Sequence, residues 1–205
     1  INYEEIYQKW IRSPFEVKIP GGGTLYEVQD KSWGALNEII KKNTSRIICI
    51  ISHRIINKVL ILKMLDIGAK GLVIPCLETP DEVRNVVKYG KFHPVGQRGV
   101  AMVRAGGFGF ENFSSGELEK YFEISNSETM LIPQCETRGF LENIEEICLI
   151  NGIDGIFIGP YDLSVALNKP AKFNDPEFLS ALKRILHTAQ NAKKYVFIHA
   201  TSTQA

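Results

Sequence analysis

Several things are missing from this chain of 205 residues, and each absence removes a class of function. No apolar run approaches the ~20 residues of a membrane span. The N-terminus, Ile1-Asn2-Tyr3-Glu4-Glu5, has no basic region leading into an apolar core, so no secretory signal is expected. An initiator Met is also missing, as in a fragment of a longer protein. Charge of one sign is missing too. The 24 Lys and Arg against 23 Asp and Glu leave +1, which sets up no field for nucleic acid or an anionic membrane. No Cys-x-x-Cys pair occurs. Of Cys49, Cys76, Cys135 and Cys148, three sit inside or at the end of apolar strand-like runs, which reads as buried reduced thiols in a cytoplasmic protein. Gly107-Phe108-Gly109 is no nucleotide fingerprint, because no strand leads into it and no third glycine follows at the required spacing. A mobile loop is expected there instead. With 44% hydrophobic and 23% charged residues the remainder is ordinary for a soluble globular protein, with room for one medium domain or two small ones.

Five short apolar runs are present: Ile47 to Ile51, Gly71 to Pro75, Met130 to Gln134, Gly155 to Ile158 and Tyr195 to His199. They are rich in Ile, Val and Leu with little polar alternation, which predicts parallel strands covered on both faces. Helical patterns fill the gaps. Ile56, Val59, Leu60 and Met64 mark one helix, with Gly68 as its C-cap. Thr79-Pro80-Asp81-Glu82 is a capping box with Pro at the first helical position, followed by Val83, Val86 and Val87 on one face. Leu141, Ile144, Ile147 and Cys148 form another apolar face. Asp175-Pro176-Glu177 opens a helix whose core face is Phe178, Leu182, Ile185 and Ala189. The alternation predicts an α/β fold, an incomplete (β/α)8 (TIM) barrel of about five parallel strands. An open sheet of that kind leaves two edges, which invite a homo-oligomer or another partner. The first forty residues differ in character. Tyr3 to Ile11 and Asp30 to Lys42 read as amphipathic helices around a flexible Pro20-Gly21-Gly22-Gly23-Thr24 break.

Gln134-Cys135-Glu136-Thr137 and Gly159-Pro160-Tyr161-Asp162-Leu163-Ser164 each follow a predicted strand. They bring two carboxylates, Glu136 and Asp162, to the C-terminal mouth of the sheet. Oxygen ligands on adjacent strand ends suit Mg²⁺ or Mn²⁺, which need only one or two protein carboxylates and keep positions open for a substrate chelate. A 2-oxo acid offers that chelate through its keto and carboxylate oxygens, and the metal would act as a Lewis acid when a C–C bond breaks. Gly159-Pro160 permits a tight turn whose following amides could face a substrate carboxylate. The alternative is that Glu136 and Asp162 cap helices or pair with Arg138 and other cations.

From about Lys63 onward the chain resembles the metal-dependent (class II) 2-oxo acid aldolases of the 4-hydroxy-2-oxoheptanedioate and 2-keto-3-deoxyglucarate type, a superfamily that includes the citrate lyase β subunit. The resemblance rests on Leu65 to Pro75, the Pro94-Val95-Gly96-Gln97-Arg98-Gly99-Val100 loop, Gln134 to Thr137 and Gly155 to Ser164. It implies reversible cleavage of 4-hydroxy-2-oxo acids to pyruvate, or a similar 2-oxo acid, and an aldehyde. It implies Glu136 and Asp162 as metal ligands and Gln134, Gly159, Pro160 and Asp162 on the substrate side. Arg104 falls in a motif that these enzymes share. A Schiff-base route would need a desolvated strand-end lysine. The ends carry Ser52 and His53, Cys76, Glu136, Asp162 and His199 instead.

The pattern departs from that family near the start. An arginine expected after the first run is replaced by Ser52, followed by His53, and no histidine precedes it to act as acid and base. Pro14 to about Leu62 resembles the C-terminal part of a phosphoglycerate mutase-like histidine phosphatase, through Ile19 to Val28 and Ile47 to Arg54, with His53 at the second active-site histidine. That family's Arg-His-Gly segment is absent. The expected organisation is therefore 1–62 phosphatase-like and 63–205 aldolase-like, packed as one α/β unit. The readings left open are an aldolase of impaired turnover with His53 as surrogate base, an inactive α/β protein that binds metal or self-associates, and a phosphatase remnant.

Overall fold

A computed structural model of the chain describes residues 49–51, 58–101, 103–112 and 114–200. The chain divides into two compact units, Ile1–Ile48 and Cys49–Ala205, and everything described belongs to the second. The two N-terminal amphipathic helices, the glycine break, Ser52 and His53 lie outside the described residues.

Five strands form one sheet in the order β1-β2-β3-β4-β5. They are β1 (Cys49–Ile51), β2 (Gly71–Ile74), β3 (Met130–Cys135), β4 (Gly155–Ile158) and β5 (Tyr195–Ile198). Every pairing is parallel. Each strand lies beside the next in sequence, so the sheet has no switch point of the doubly wound kind and advances in one direction, as a barrel does. β1 falls N-terminal of the 62/63 boundary expected from sequence, yet pairs Cys49 with Gly71 through Ile51 with Val73.

The crossovers are α1 (Lys58–Asp66), α2 (Pro80–Gly90), a 3-10 segment (Arg104–Gly109), α3 (Leu118–Glu128), α4 (Arg138–Glu142), α5 (Ile144–Cys148), α6 (Pro160–Ala166) and α7 (Pro176–Asn191). The capping box forms as predicted: the Thr79 hydroxyl accepts from the Glu82 N–H and the Glu82 carboxylate from the Thr79 N–H. Gly68 ends α1 region with φ +104°, which an L side chain rarely adopts. Asp175 caps α7 through the Glu177 N–H. The buried face of α7 uses Ala181 with Phe178, Ile185 and Ala189, while Leu182 is only half-buried. None of the helices described is long and apolar enough to cross a membrane.

Three expectations change. The segment after β4 is not only a turn but a seven-residue helix, α6, with Pro160 in its first turn. The glycine-rich segment forms 3-10 turns broken at Gly106 to Phe108, where Gly107 and Phe108 take positive φ, and the buried Ser114 hydroxyl donates to the Gly106 carbonyl at 2.6 Å. β5 is not covered on both faces: Tyr195, Phe197 and Ile198 are 66%, 37% and 50% exposed. Among the described residues β4 is its one strand neighbour, so it lacks the shielding that β2, β3 and β4 give one another.

Burial makes Cys135 and Cys148 poor nucleophiles. It raises the Cys135 thiol well above the usual range and pushes Cys148 up to about 11.

At the N-terminal ends of the strands, Lys91 carries a buried ammonium, 3% exposed. It donates to the carbonyls of Asn126 and Thr129 at the end of α3, and to Asp154 at 3.3 Å. Asp154 in turn accepts the Leu131 N–H at 2.8 Å. Nearby, the buried Arg98 stacks 4.7 Å from the centre of the Phe92 ring and pairs with Asp66 at 2.8 Å, so the Pro94–Val100 loop is anchored to the end of α1.

Two outcomes follow for stability. Thr79→Ala should cost about 1 kcal/mol in denaturant unfolding, the usual size of a lost N-cap. Lys91→Met should cost about 2–3 kcal/mol, because Asp154 and the α3 carbonyls lose a buried donor. Burial depresses the Lys91 pKa despite the opposing field of Asp154. Between that lowered value and the ordinary ~10.4 the unfolded chain binds the extra proton, so stability from Lys91 rises with pH there. The gap between wild type and Lys91→Met should therefore widen as pH climbs through that window, measured as unfolding midpoint against pH.

Candidate functional site

Side chains two apart on a strand share a face. On β3 and just beyond it, that rule puts Gln134 and Glu136 side by side, and the Gln134 amide donates to Glu136 Oε2. Glu136 is 6% exposed. A carboxylate so buried needs donors, and its other oxygen, Oε1, accepts the backbone N–H of Cys76 at 2.6 Å. Each oxygen retains a lone pair after these bonds.

Cys76 lies just beyond β2, next to β3 in the sheet, and the register pairs Ile74 with Pro133. Two further bonds join the same loops. The Thr137 hydroxyl donates to the Leu77 carbonyl at 2.6 Å, and the Gly139 N–H to Glu78 Oε2 at 3.1 Å. Thr137 also caps α4, accepting from the Phe140 N–H at 3.1 Å. A side chain at Gly139 would put its Cβ 2.8 Å from the Glu78 backbone carbonyl oxygen, so glycine is required for the approach.

On the other side, the Gly159 N–H donates to the Cys135 carbonyl at 3.2 Å and carries the β3–β4 ladder one step further. A Cβ at Gly159 would come 2.5 Å from Gln134 Nε2 and 3.1 Å from Glu136 Oε2. Glycine thus keeps side-chain bulk away from Gln134 and the carboxylate. Pro160 starts α6, and Asp162 sits exposed in its first turn.

The structure brings Gln134, Glu136 and Gly159 together. No hydrogen bond joins Asp162 to them among the described residues, and no group of three His, Cys, Asp or Glu converges there to cage an ion. Glu136 does not pair with Arg138, whose guanidinium donates to the Ala166 carbonyl at 2.7 Å at the end of α6. Arg104 is exposed at the start of the 3-10 segment. His93, His187 and His199 are all exposed, and His53 lies outside the described residues. A separate cavity of about 660 Å³, lined by Lys91, Asp154 and Lys194 among others, opens at the opposite ends of the strands. Sequence reasoning missed Cys76 and Glu78. Their one visible signal is position, since both follow the strand next to that of Glu136.

The HpcH/HpaI aldolase/citrate lyase family model matches residues 37–203. The 2-keto-3-deoxy-L-rhamnonate aldolase of Klebsiella pneumoniae is 36% identical over 140 residues, 67% of this chain and 50% of that protein. The Escherichia coli O1:K1 / APEC enzyme of the same name is 38% identical over 135 residues, 65% of this chain and 46% of that protein. The chain thus spans about half the length of these relatives. A crystal structure of an HpcH/HpaI family protein from Burkholderia cenocepacia J2315 superposes with TM-score 0.63 at 33% identity, covering 72% of this chain and 57% of that one. The HpcH/HpaI aldolase of Desulfitobacterium hafniense DCB-2, at 20% identity, shares the fold with TM-score 0.70 over 99% of this chain and 75% of its own. Residues 37–62, part of the segment expected to be phosphatase-like, fall inside the family match, and no histidine phosphatase likeness is shown. The match covers most of the sequence, and the chain belongs to the HpcH/HpaI aldolase/citrate lyase family.

Proposed function

We propose that the chain carries a divalent-metal site of the retro-aldol kind, with Glu136 and Asp162 as protein ligands and Mg²⁺ or Mn²⁺ as the ion. Its reaction would cleave the C3–C4 bond of a 4-hydroxy-2-oxo acid to pyruvate, or a similar 2-oxo acid, and an aldehyde. The observation that carries this reading is the buried Glu136 carboxylate at a strand end, gripped on both oxygens and faced at 159 by a glycine with no side chain. The residues fit such an ion. A hard cation of this type accepts one or two carboxylates and completes its shell with water and substrate oxygens, so a three-residue cage is not required. When bound, it would supply Lewis-acid polarisation of the keto group.

The chain's own groups do the rest. Gln134 and the Cys76 N–H hold Glu136 in one orientation. Gly159 and Pro160 leave the approach to that carboxylate free of side-chain bulk, and Gln134 is near enough to contact a bound oxo acid. Loss of the C4 hydroxyl proton needs a base, for which His53 is the candidate on sequence grounds. The names of the relatives support a sugar-derived 2-keto-3-deoxy acid as the substrate class. The exposed apolar face of β5 favours a second reading, a protein that binds the metal and self-associates without turnover.

The decisive measurement is exchange of the C3 protons of pyruvate in D₂O with Mn²⁺ or Mg²⁺ added. Metal-dependent exchange is expected, falling by at least about 10²-fold in Glu136→Gln. Metal binding with no exchange above that variant, together with concentration-dependent association, would establish the second reading. Gly159→Ala drives a Cβ into Gln134 and should weaken Mn²⁺ binding about 10-fold by calorimetry.

A further inference from the structure

Cys76 occupies a conformation that its residue type disfavours. Its φ is +58°, in the left-handed region where a side chain crowds the backbone and glycine is the usual occupant. Such outliers persist only where surrounding contacts over-determine them, and they gather at functional sites. Among the contacts that hold this one are three bonds between residues 76–78 and 136–139. The first of them is the N–H of Cys76 itself, on Glu136 Oε1 at 2.6 Å. With β2 and residues 77–78 held in place, a change of φ at Cys76 needs a compensating rotation of the Pro75–Cys76 peptide plane, which would carry that N–H away from Glu136 and leave a buried carboxylate oxygen without a donor.

We infer that Cys76 is a positioning residue: its left-handed turn fixes the orientation of Glu136, and so presets the carboxylate for its ligand. The group that makes this bond is the backbone N–H. The role rests on the reading of Glu136 as a metal ligand only for its consequence, since the orientation itself exists without metal. Glu78 supports the same turn from outside by accepting the Gly139 N–H, and Thr137 supports it through Leu77.

The test pairs a metal-free readout with a metal-binding one. In the apo protein, a scalar coupling across the hydrogen bond should link the Cys76 amide nitrogen to the Glu136 side-chain carboxyl carbon. Cys76→Ala removes only the thiol and Cys76→Gly relieves the backbone, so both should keep the coupling and bind Mn²⁺ within about 3-fold of wild type. Cys76→Val, whose β-branch opposes positive φ, should lose the coupling and bind Mn²⁺ about 10-fold or more weakly. Glu78→Ala, on the exposed side of the turn, should weaken both signals if Cys76→Val fails to fold. A folded wild type without the coupling overturns the inference, whatever the metal does. So does Cys76→Ala losing affinity as severely as Cys76→Val, or both signals surviving unchanged in the folded Cys76→Val and Glu78→Ala proteins. A wild type that shows the coupling but binds no Mn²⁺ removes the metal reading and leaves the positioning role standing.

Discussion

Much of the described structure hangs on the contact between two strand-end loops, residues 76–79 and 136–139. Those eight positions terminate β2 and β3, start α2 and α4, and hold the one buried carboxylate among the described residues. Burying a carboxylate costs several kcal/mol. Two hydrogen bonds to an ionised group return roughly 1.5–3 kcal/mol each. The terms nearly cancel, so Glu136 adds little to stability, and its value lies in where it points. The Thr137–Leu77 and Gly139–Glu78 bonds make the same argument for the backbone: they fix the loops against each other without depending on the carboxylate.

The features legible in the sequence are those governed by nearest neighbours. Thr79-Pro80-Asp81-Glu82 and Asp175-Pro176-Glu177 cap their helices as written, because a cap is a bond within one turn. The strands from Gly71 to Tyr195 stand where apolar runs of β-branched residues put them. Glu136 was visible as a polar residue that ends such a run. What escaped depends on distant partners. The left-handed Cys76 is stabilised by residues sixty positions away, and nothing in Ile74-Pro75-Cys76-Leu77 announces it. Lys91 looks like any helix-end lysine until α3 and Asp154 surround it. Leu182 yields its core place to Ala181, the smaller residue on the neighbouring helical position. The exposure of β5 follows from its having β4 alone beside it among the described residues, which an apolar pattern cannot report.

The two ends of the sheet carry different burdens. At the C-terminal ends sit Gln134, Glu136, Gly159 and the turns that present them. At the N-terminal ends sit Lys91, Asp154 and Lys194, each bonded to backbone groups that join crossovers to strands. In βα barrels generally, the C-terminal face carries the chemistry and the N-terminal face the stability.

The Lys91 ammonium has a consequence for geometry. A helix normally leaves its last carbonyls without partners and often closes on a left-handed glycine before the chain can turn. α3 does neither. It ends at Glu128, Thr129 is already extended with φ −107°, and β3 begins at Met130. One residue suffices for the passage because the side chain of Lys91, just after α2, takes the carbonyls of Asn126 and Thr129. A connection of one residue has no slack. The strand leaves the helix at a set point and phase, and Glu136 is reached roughly 20 Å further on, at ~3.3 Å per residue. A cation at one end of the sheet thus acts as the datum from which the position of the anion at the other end is measured.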